Sequence, residues 1–565
     1  MEKLNIDCLI LIFKELWTDK KSLYSCLLVN REWCHLVVPI LWRKYPYFFS
    51  CKKSKEKFYN IILSCLPTSS KQLLLDNDIK LPLTNLPKSL TFNYLSFCKY
   101  LKVDIVDNII NVVFKKEIFN KAKKRNLLEK EIYKLFISQC KNIKELEWQT
   151  SKPLPLFSGA LTCFPQLYNL SIDLYSVNSN NLREMAEICK DLNKLCVYNY
   201  SQSVPGLISL IDAQRNLKSF SFSSHIKKGI TCEELSTALT RKGRTINNLF
   251  LHGSIGVISH SFLTSLINLK DLTIYHDCES YKGIKEFQKY LANSEFPDLN
   301  SLGIYDDFLC FKEMAMLIEK TKGNISYFSV YTSNKSAEGT GMLINAISNF
   351  CPKIEYLTTY LGPKDLIYVK ALLMNCKNLL SLHLNSLNET SDIGDELLDN
   401  LTKFSPKSLT YVTISGDWKY SIDAFKKFFE SYRERKLLCF NIDNYIGEHF
   451  TTEHTDVVKK YFNEEIILEI DTTNTPSLDF NLKIRTRKFF SWSTAKIIVV
   501  FQSVYPQSVS VDEYPLFTLS NSLDPLVLRP PGLWRQYPSF YYKEWLSMSN
   551  TIIAIKQKKL SGKKN

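Results

Sequence analysis

Between residues 143 and 442 the chain repeats one arrangement of apolar positions, apolar-x-x-apolar-x-apolar, at nearly even spacing. The series opens with Ile143, Leu146 and Trp148, continues with Leu167, Leu170 and Ile172, and closes with Leu437, Phe440 and Ile442. Twelve such units share a mean period of roughly 27 residues. Alternation in the last two apolar positions predicts a short strand with those side chains on one face. The segments between, such as Leu182–Cys189, Glu233–Leu239, Met314–Ile318, Leu366–Leu373 and Phe425–Tyr432, space their apolar residues as helices do. Each unit therefore reads as strand, turn and helix. One unit cannot bury both its strand row and its helix, but a stack can. The expectation is an α/β solenoid: a curved parallel sheet with outer helices.

The period and pattern resemble leucine-rich repeats. If the second and third apolar residues of a unit face the core, the next residue faces outward onto the concave side. Along the array this position holds Gln149, Asp173, Tyr198, Ser223, His252, Tyr275, Tyr305, Tyr331, Tyr360, Asn385, Ser415 and Asp443. Its middle is aromatic, and in a parallel in-register sheet Tyr275, Tyr305, Tyr331 and Tyr360 should form a continuous stripe. Tyr198, His252 and these four tyrosines are the candidates for holding a protein substrate, since exposed aromatics with hydroxyls are enriched at interface hot spots. The competing reading is that the tyrosines stack and stiffen the sheet.

The first 45 or so residues form a different island. Leu9, Ile12, Phe13 and Leu16 fall on one helical face. Thr18 or Asp19 can cap a second helix carrying Leu23, Cys26 and Leu27, and a third, with Trp33, Leu36 and Val37, is expected to stop at Pro39. So small a unit buries little by itself, which points to a partner. The ordered set Leu4, Asp7, Leu9, Ile12, Phe13, Leu16, Leu23, Val29-Asn30-Arg31-Glu32-Trp33 and Leu41-Trp42 resembles an F-box, with Asn5 where the family's opening usually has proline. Its phrasing from Lys20 to Cys26 and from Val38 to Trp42 is similar to the large F-box sets of mycorrhizal fungi. The resemblance implies docking on a Skp-family adaptor of a cullin complex through Leu9, Ile12, Phe13, Leu16, Leu23, Val29, Trp33 and Trp42. It further implies a ubiquitin-ligase adaptor that holds an unknown substrate protein and is not itself an enzyme; the alternative is a leucine-rich-repeat scaffold unconnected to ubiquitination. Cys189, Cys351 and Cys376, which precede their anchors, resemble the cysteine-containing repeats of F-box proteins and read as small apolar filler.

The expected domains are the F-box at 1–46, a helical connector and N-terminal cap at 47–140, the solenoid at 141–474, and a Tyr-, Trp- and Pro-rich segment at 475–565. For that last segment three readings stand open: it closes the solenoid, binds a partner, or is loosely ordered.

Composition narrows the chemistry. No run of about 18 uncharged apolar residues is present, so no membrane helix is expected. The N-terminus does not read as a secretion signal, and the sixteen cysteines, none in a C-x-x-C pair, are expected as free thiols in the cytosol or nucleus. The net charge of +15 is concentrated partly at Lys52–Lys57, Lys115–Arg125 and Lys556–Lys564 and reads chiefly as solvated surface, with nucleic acid the least favoured partner. Phosphate-cradling loops and hydrolase elbows are missing from the sequence, and the close pair His449 and His454 sits in a polar stretch. Nothing calls for a cofactor or metal.

Overall fold

The computed structural model describes residues 5–16, 19–43, 52–82, 91–114, 122–201, 203–225, 232–276, 283–306, 310–332, 338–386, 392–415, 418–443 and 451–470. The chain divides into two compact units, Met1–Asp479 and Phe480–Asn565, and the second lies wholly outside the described residues, as does the 475–565 segment.

Fourteen strands form one sheet whose spatial order is the order of the sequence: β1 Tyr100–Leu101, β2 Glu145–Trp148, β3 Asn169–Asp173, β4 Lys194–Tyr198, β5 Ser219–Ser223, β6 Asn248–His252, β7 Asp271–His276, β8 Ser301–Asp306, β9 Tyr327–Tyr331, β10 Tyr356–Leu361, β11 Ser381–Ser386, β12 Tyr411–Ser415, β13 Leu437–Asp443 and β14 Ile467–Ile470. Every pairing is parallel and in register, so the apolar rows line up, with Leu170 beside Leu195 and Leu195 beside Phe220. Helices follow the strands and cover one sheet face, giving one continuous core from Phe58 to Ile467. The fold is a leucine-rich-repeat solenoid.

Two devices join repeat to repeat. At the turn into each strand from β1 to β12 one carbonyl accepts two N–H groups from the next unit: Lys144 O from Tyr168 and Asn169, and Tyr168 O from Asn193 and Lys194. These bonds satisfy backbone groups that burial would otherwise leave unpaired. The second device lies at the cysteines. Three residues before the first anchor of their units, Cys189 Sγ donates to Phe164 O at 3.2 Å and Cys376 Sγ contacts Cys351 O at 3.7 Å, while Cys140 Sγ donates to Leu95 O at 3.1 Å. Cys189, Cys351 and Cys376 are all buried at their junctions, as small filler would be, and Cys189 and Cys376 serve in addition as donors to the preceding unit.

The N-terminal island has its own small core of Leu9, Phe13, Leu23, Cys26, Val37 and Leu41. Its helices are α1 Ile6–Glu15, α2 Lys20–Leu27 and α3 Arg31–Arg43. Side chains cap all three, since Asn5, Asp19 and Asn30 accept from the N–H groups of Asp7, Ser22 and Trp33. The expected stop at Pro39 does not occur: α3 runs four residues past it. Proline removes only its own N–H bond, and apolar positions on both sides of it, Val37, Val38 and Leu41, hold the helix against the core.

Helices α4 Lys52–Ser64, α5 Thr68–Asp76, α6 Val103–Phe114 and α7 Ala122–Gln139 connect the island to the array. The sheet already begins within this stretch, at β1, where Tyr100 pairs with Glu145 and Leu101 with Leu146.

Candidate functional site

Alternation leaves three outward residues on each five-residue strand, on the sheet face opposite the helices. The register sets His252 beside Tyr275, Tyr275 beside Tyr305, and Tyr305 beside Tyr331. Neighbouring strands in a sheet lie about 4.8 Å apart, close to the optimum for parallel aromatic rings. Tyr275 and Tyr305 meet that condition, with centroids 4.3 Å apart and planes 7° from parallel. Phe250 and His252 flank Tyr275 at 5.6 and 6.4 Å.

Beyond Tyr305 the band changes row. Gly303 makes this possible: a Cβ there would stand 3.0 Å from Tyr305 Cε2, so the ring lies down across the bare backbone. Its hydroxyl reaches the Tyr327 hydroxyl at 3.4 Å, and the Tyr327 ring in turn neighbours Tyr356 at 6.3 Å. The aromatic band thus crosses the sheet obliquely, from the C-terminal ends of β6, β7 and β8 to the N-terminal ends of β9 and β10.

The expected straight stripe therefore fails at its far end. Tyr360 is buried, its hydroxyl donating to Thr332 O at 2.6 Å and accepting from Thr332 N at 3.0 Å. The cause is local: β9 ends at Tyr331, and the peptide groups of buried Thr332 need partners that Tyr360 supplies. Tyr331 is half-buried beside Tyr305, and Tyr198 is half-buried three strands before Tyr275. His252 faces the Ser223 hydroxyl, Nδ1 to Oγ 3.1 Å, and its ring lies 5.5 Å from that of His225. Phe250, Tyr327 and Tyr356 were not among the expected residues. The signal for them lies in period-two alternation, which turns the first and middle positions of each strand outward as well as the last.

Burial disfavours the phenolate, pushing the Tyr305 hydroxyl up to about 12, with the neighbouring Tyr275 adding to the rise. Tyr198 and Tyr327 are raised by burial as well. At physiological pH these phenols are neutral hydrogen-bonding groups. Formal charge is sparse here: across the outward rows of β4 to β11 it occurs at Lys194 and Asp271 alone, and Asp271 accepts from Asn248 Nδ2 at 3.3 Å. Among the described residues no group of three His, Cys, Asp or Glu side chains is placed to hold a metal ion. His454 points inward, its Nε2 2.9 Å from the Tyr420 carbonyl, and His449 lies outside the described residues.

In the N-terminal island, Leu9, Phe13 and Leu23 are buried in its core, and Trp33 packs edge-on to Phe13 at 5.0 Å. Trp42 sits between that core and the connector, its ring 4.7 Å from Phe58 and 4.5 Å from Tyr94. Leu16 is half-buried, whereas Ile12 is 44% and Val29 56% exposed. The most exposed apolar side chains of the island, Leu28 at 88% and Leu11 at 60%, were not anticipated. Leu11 falls off the Leu9–Phe13 stripe, and an apolar residue off the core stripe was the cue for it.

No family model and no curated protein matches the chain. Among solved structures, an internalin of Listeria monocytogenes is similar at a TM-score of 0.32 and 14% identity, over 66% of this chain and 96% of that one. A leucine-rich-repeat-containing protein of Legionella pneumophila gives 0.29 and 15%, over 59% and 100%. A leucine-rich-repeat protein of Leptospira interrogans gives 0.31 and 13%, over 60% and 97%. The repeat architecture of the chain rests on its own strand order and register.

Proposed function

We propose that the chain is a substrate-recognition adaptor of a Skp-cullin-F-box ubiquitin ligase, docking through its first three helices and holding a substrate protein on the open face of the sheet. The observation that carries this reading is the surplus of apolar surface on a unit with so small a core: Leu11, Ile12, Leu28 and Val29 are exposed although a unit of this size has little apolar area to spare. Of the residues proposed to dock, Ile12 and Val29 present surface directly, while Leu9, Phe13 and Leu23 hold the shape that presents them. The role is positional. A tethered substrate brings its lysines to the charged enzyme at raised effective concentration, with no chemistry required of this chain. Buried thiols used as neutral donors suit a reducing compartment, the cytosol or the nucleus.

A second reading has one specific observation behind it. Trp42 packs into the connector, as a cap would, and a scaffold outside ubiquitination needs nothing more. Co-purification of a Skp-family adaptor with the full chain and with the Leu28→Asp/Val29→Asp variant separates the two. Capture by the wild type and its loss in the variant is the expected result, whereas no capture by a folded wild type leaves the scaffold.

A further inference from the structure

We infer that the open face of β4 to β11 selects an uncharged stretch of polypeptide, and that the oblique aromatic band is where this stretch is anchored. The inference rests on the proposed reading of this face as the protein-binding surface and adds the chemistry of what it takes.

Charge distribution is the first argument. In a chain of net charge +15, the described outward rows of eight consecutive strands of this face hold only Lys194 and Asp271 as formal charges. A charged side chain laid against the middle of these rows would lose its water, since Lys270, Asp298, Lys353 and Glu355 stand at the N-terminal edge of the strands and not along them, a cost of the kind that rejects wrong partners. The surface itself offers Ser223, Thr273, Ser301, Thr358 and Ser381 among tyrosine rings. Rigid aromatic area interleaved with short hydroxyls is the residue mixture that antibody combining sites use to bind protein surfaces without relying on charge.

Geometry supplies the second. Eight strands at about 4.8 Å spacing extend roughly 34 Å, the length of about ten residues of extended chain. Within that span the rings of Phe250, Tyr275, Tyr305, Tyr327 and Tyr356 are linked neighbour to neighbour across five strands. Stacking and the Tyr305–Tyr327 hydroxyl contact fix their orientation before any partner arrives, which lowers the ordering cost of binding.

The test uses the full chain and three pools of synthetic twelve-residue peptides. One is built from uncharged residues only; the other two carry Glu or Lys at every third position. Retention is measured at 50 and 500 mM salt, with the Tyr275→Ala/Tyr305→Ala variant alongside and adaptor capture recorded on the same samples. Expected is retention of the uncharged pool at least tenfold above both others, changing less than twofold with salt and falling at least tenfold in the variant. Should that variant not fold by circular dichroism, Thr358→Lys, which sets a charge on β10 two residues from Tyr356 at the far end of the band, is expected to cause the same loss. Preference for the Glu pool with steep salt dependence overturns the inference. If that preference still depends on Tyr275 and Tyr305, the face remains a protein-binding surface. Retention of no pool overturns both, and adaptor capture independently reports on the N-terminal docking.

Discussion

Gln214 fills, in its repeat, the slot that Cys189 fills in the one before, and its Nε2 donates to the Cys189 carbonyl at 2.9 Å. The longer side chain does more than the thiol. Nε2 also donates to Leu210 O at 2.7 Å, and Oε1 accepts from Leu192 N at 2.9 Å. Gln214→Leu would keep the volume and leave the Leu192 N–H and the Cys189 carbonyl unpaired in a dry junction. A loss of about 2 to 4 kcal/mol in urea unfolding is expected. An unchanged midpoint would show that water or a neighbour replaces the amide.

The buried thiols predict an alkaline limb. Burial pushes Cys163, Cys189 and Cys376 up to about 12 from an ordinary 9.0. Between pH 9 and 12 the unfolded chain sheds protons that the native chain keeps. Their contribution to stability is therefore complete below pH 9 and lost as pH rises toward 12. Urea midpoints should fall from pH 8.5 to pH 10.5, and less steeply in Cys189→Ala/Cys376→Ala. Equal slopes in the two proteins would assign the limb to tyrosines instead.

His260 predicts the opposite limb. It lies buried with Nε2 3.0 Å from Ser254 Oγ and its ring against Phe287, and burial, followed by the nearby His276, lowers it from 6.5 to about 3. Below pH 6.5 the unfolded chain takes up a proton that the native chain refuses. Stability is thus full above 6.5 and declines as pH falls. In His260→Gln the decline between pH 6.5 and 5 should flatten, at a cost of about 1 to 3 kcal/mol near neutrality from the disturbed hydrogen bond. A slope identical to that of wild type would place the acid sensitivity elsewhere.

Two substitutions in the N-terminal island should separate shape from contact. Phe13 is fully buried against Trp33, so Phe13→Ala should cost about 3 to 5 kcal/mol and unfold the island. Leu28 is almost fully exposed, so Leu28→Ala should change stability by no more than about 0.5 kcal/mol while weakening adaptor capture. Capture that survives Leu28→Ala at full strength moves the contact to Leu11 and Ile12.

The solenoid was legible because its signal is repeated: each of the twelve apolar triplets coincides with one of the strands β2 to β13. The two end strands were not. β1 is two residues long and gives way at once to α6, and β14, whose Ile467 and Ile470 stand opposite Leu437 and Phe440, belongs to a unit with the polar Thr472 where the pattern asks for its third apolar residue. The band was half legible. Alternation places Tyr275 beside Tyr305, but the change of row depends on how a ring lies over Gly303, and the loss of Tyr360 depends on where β9 ends. Neither is encoded in side-chain periodicity.

Because every strand pairs only with its neighbours in the sequence, lineages of such a chain can gain or drop a whole unit near either end with little disturbance to the rest. The junction of β7 and β8 is different. One unit inserted there would part Tyr275 from Tyr305 by a further ~4.8 Å and cut the band in two. Length is free to drift at the ends of the array, while at this one junction it is held in phase.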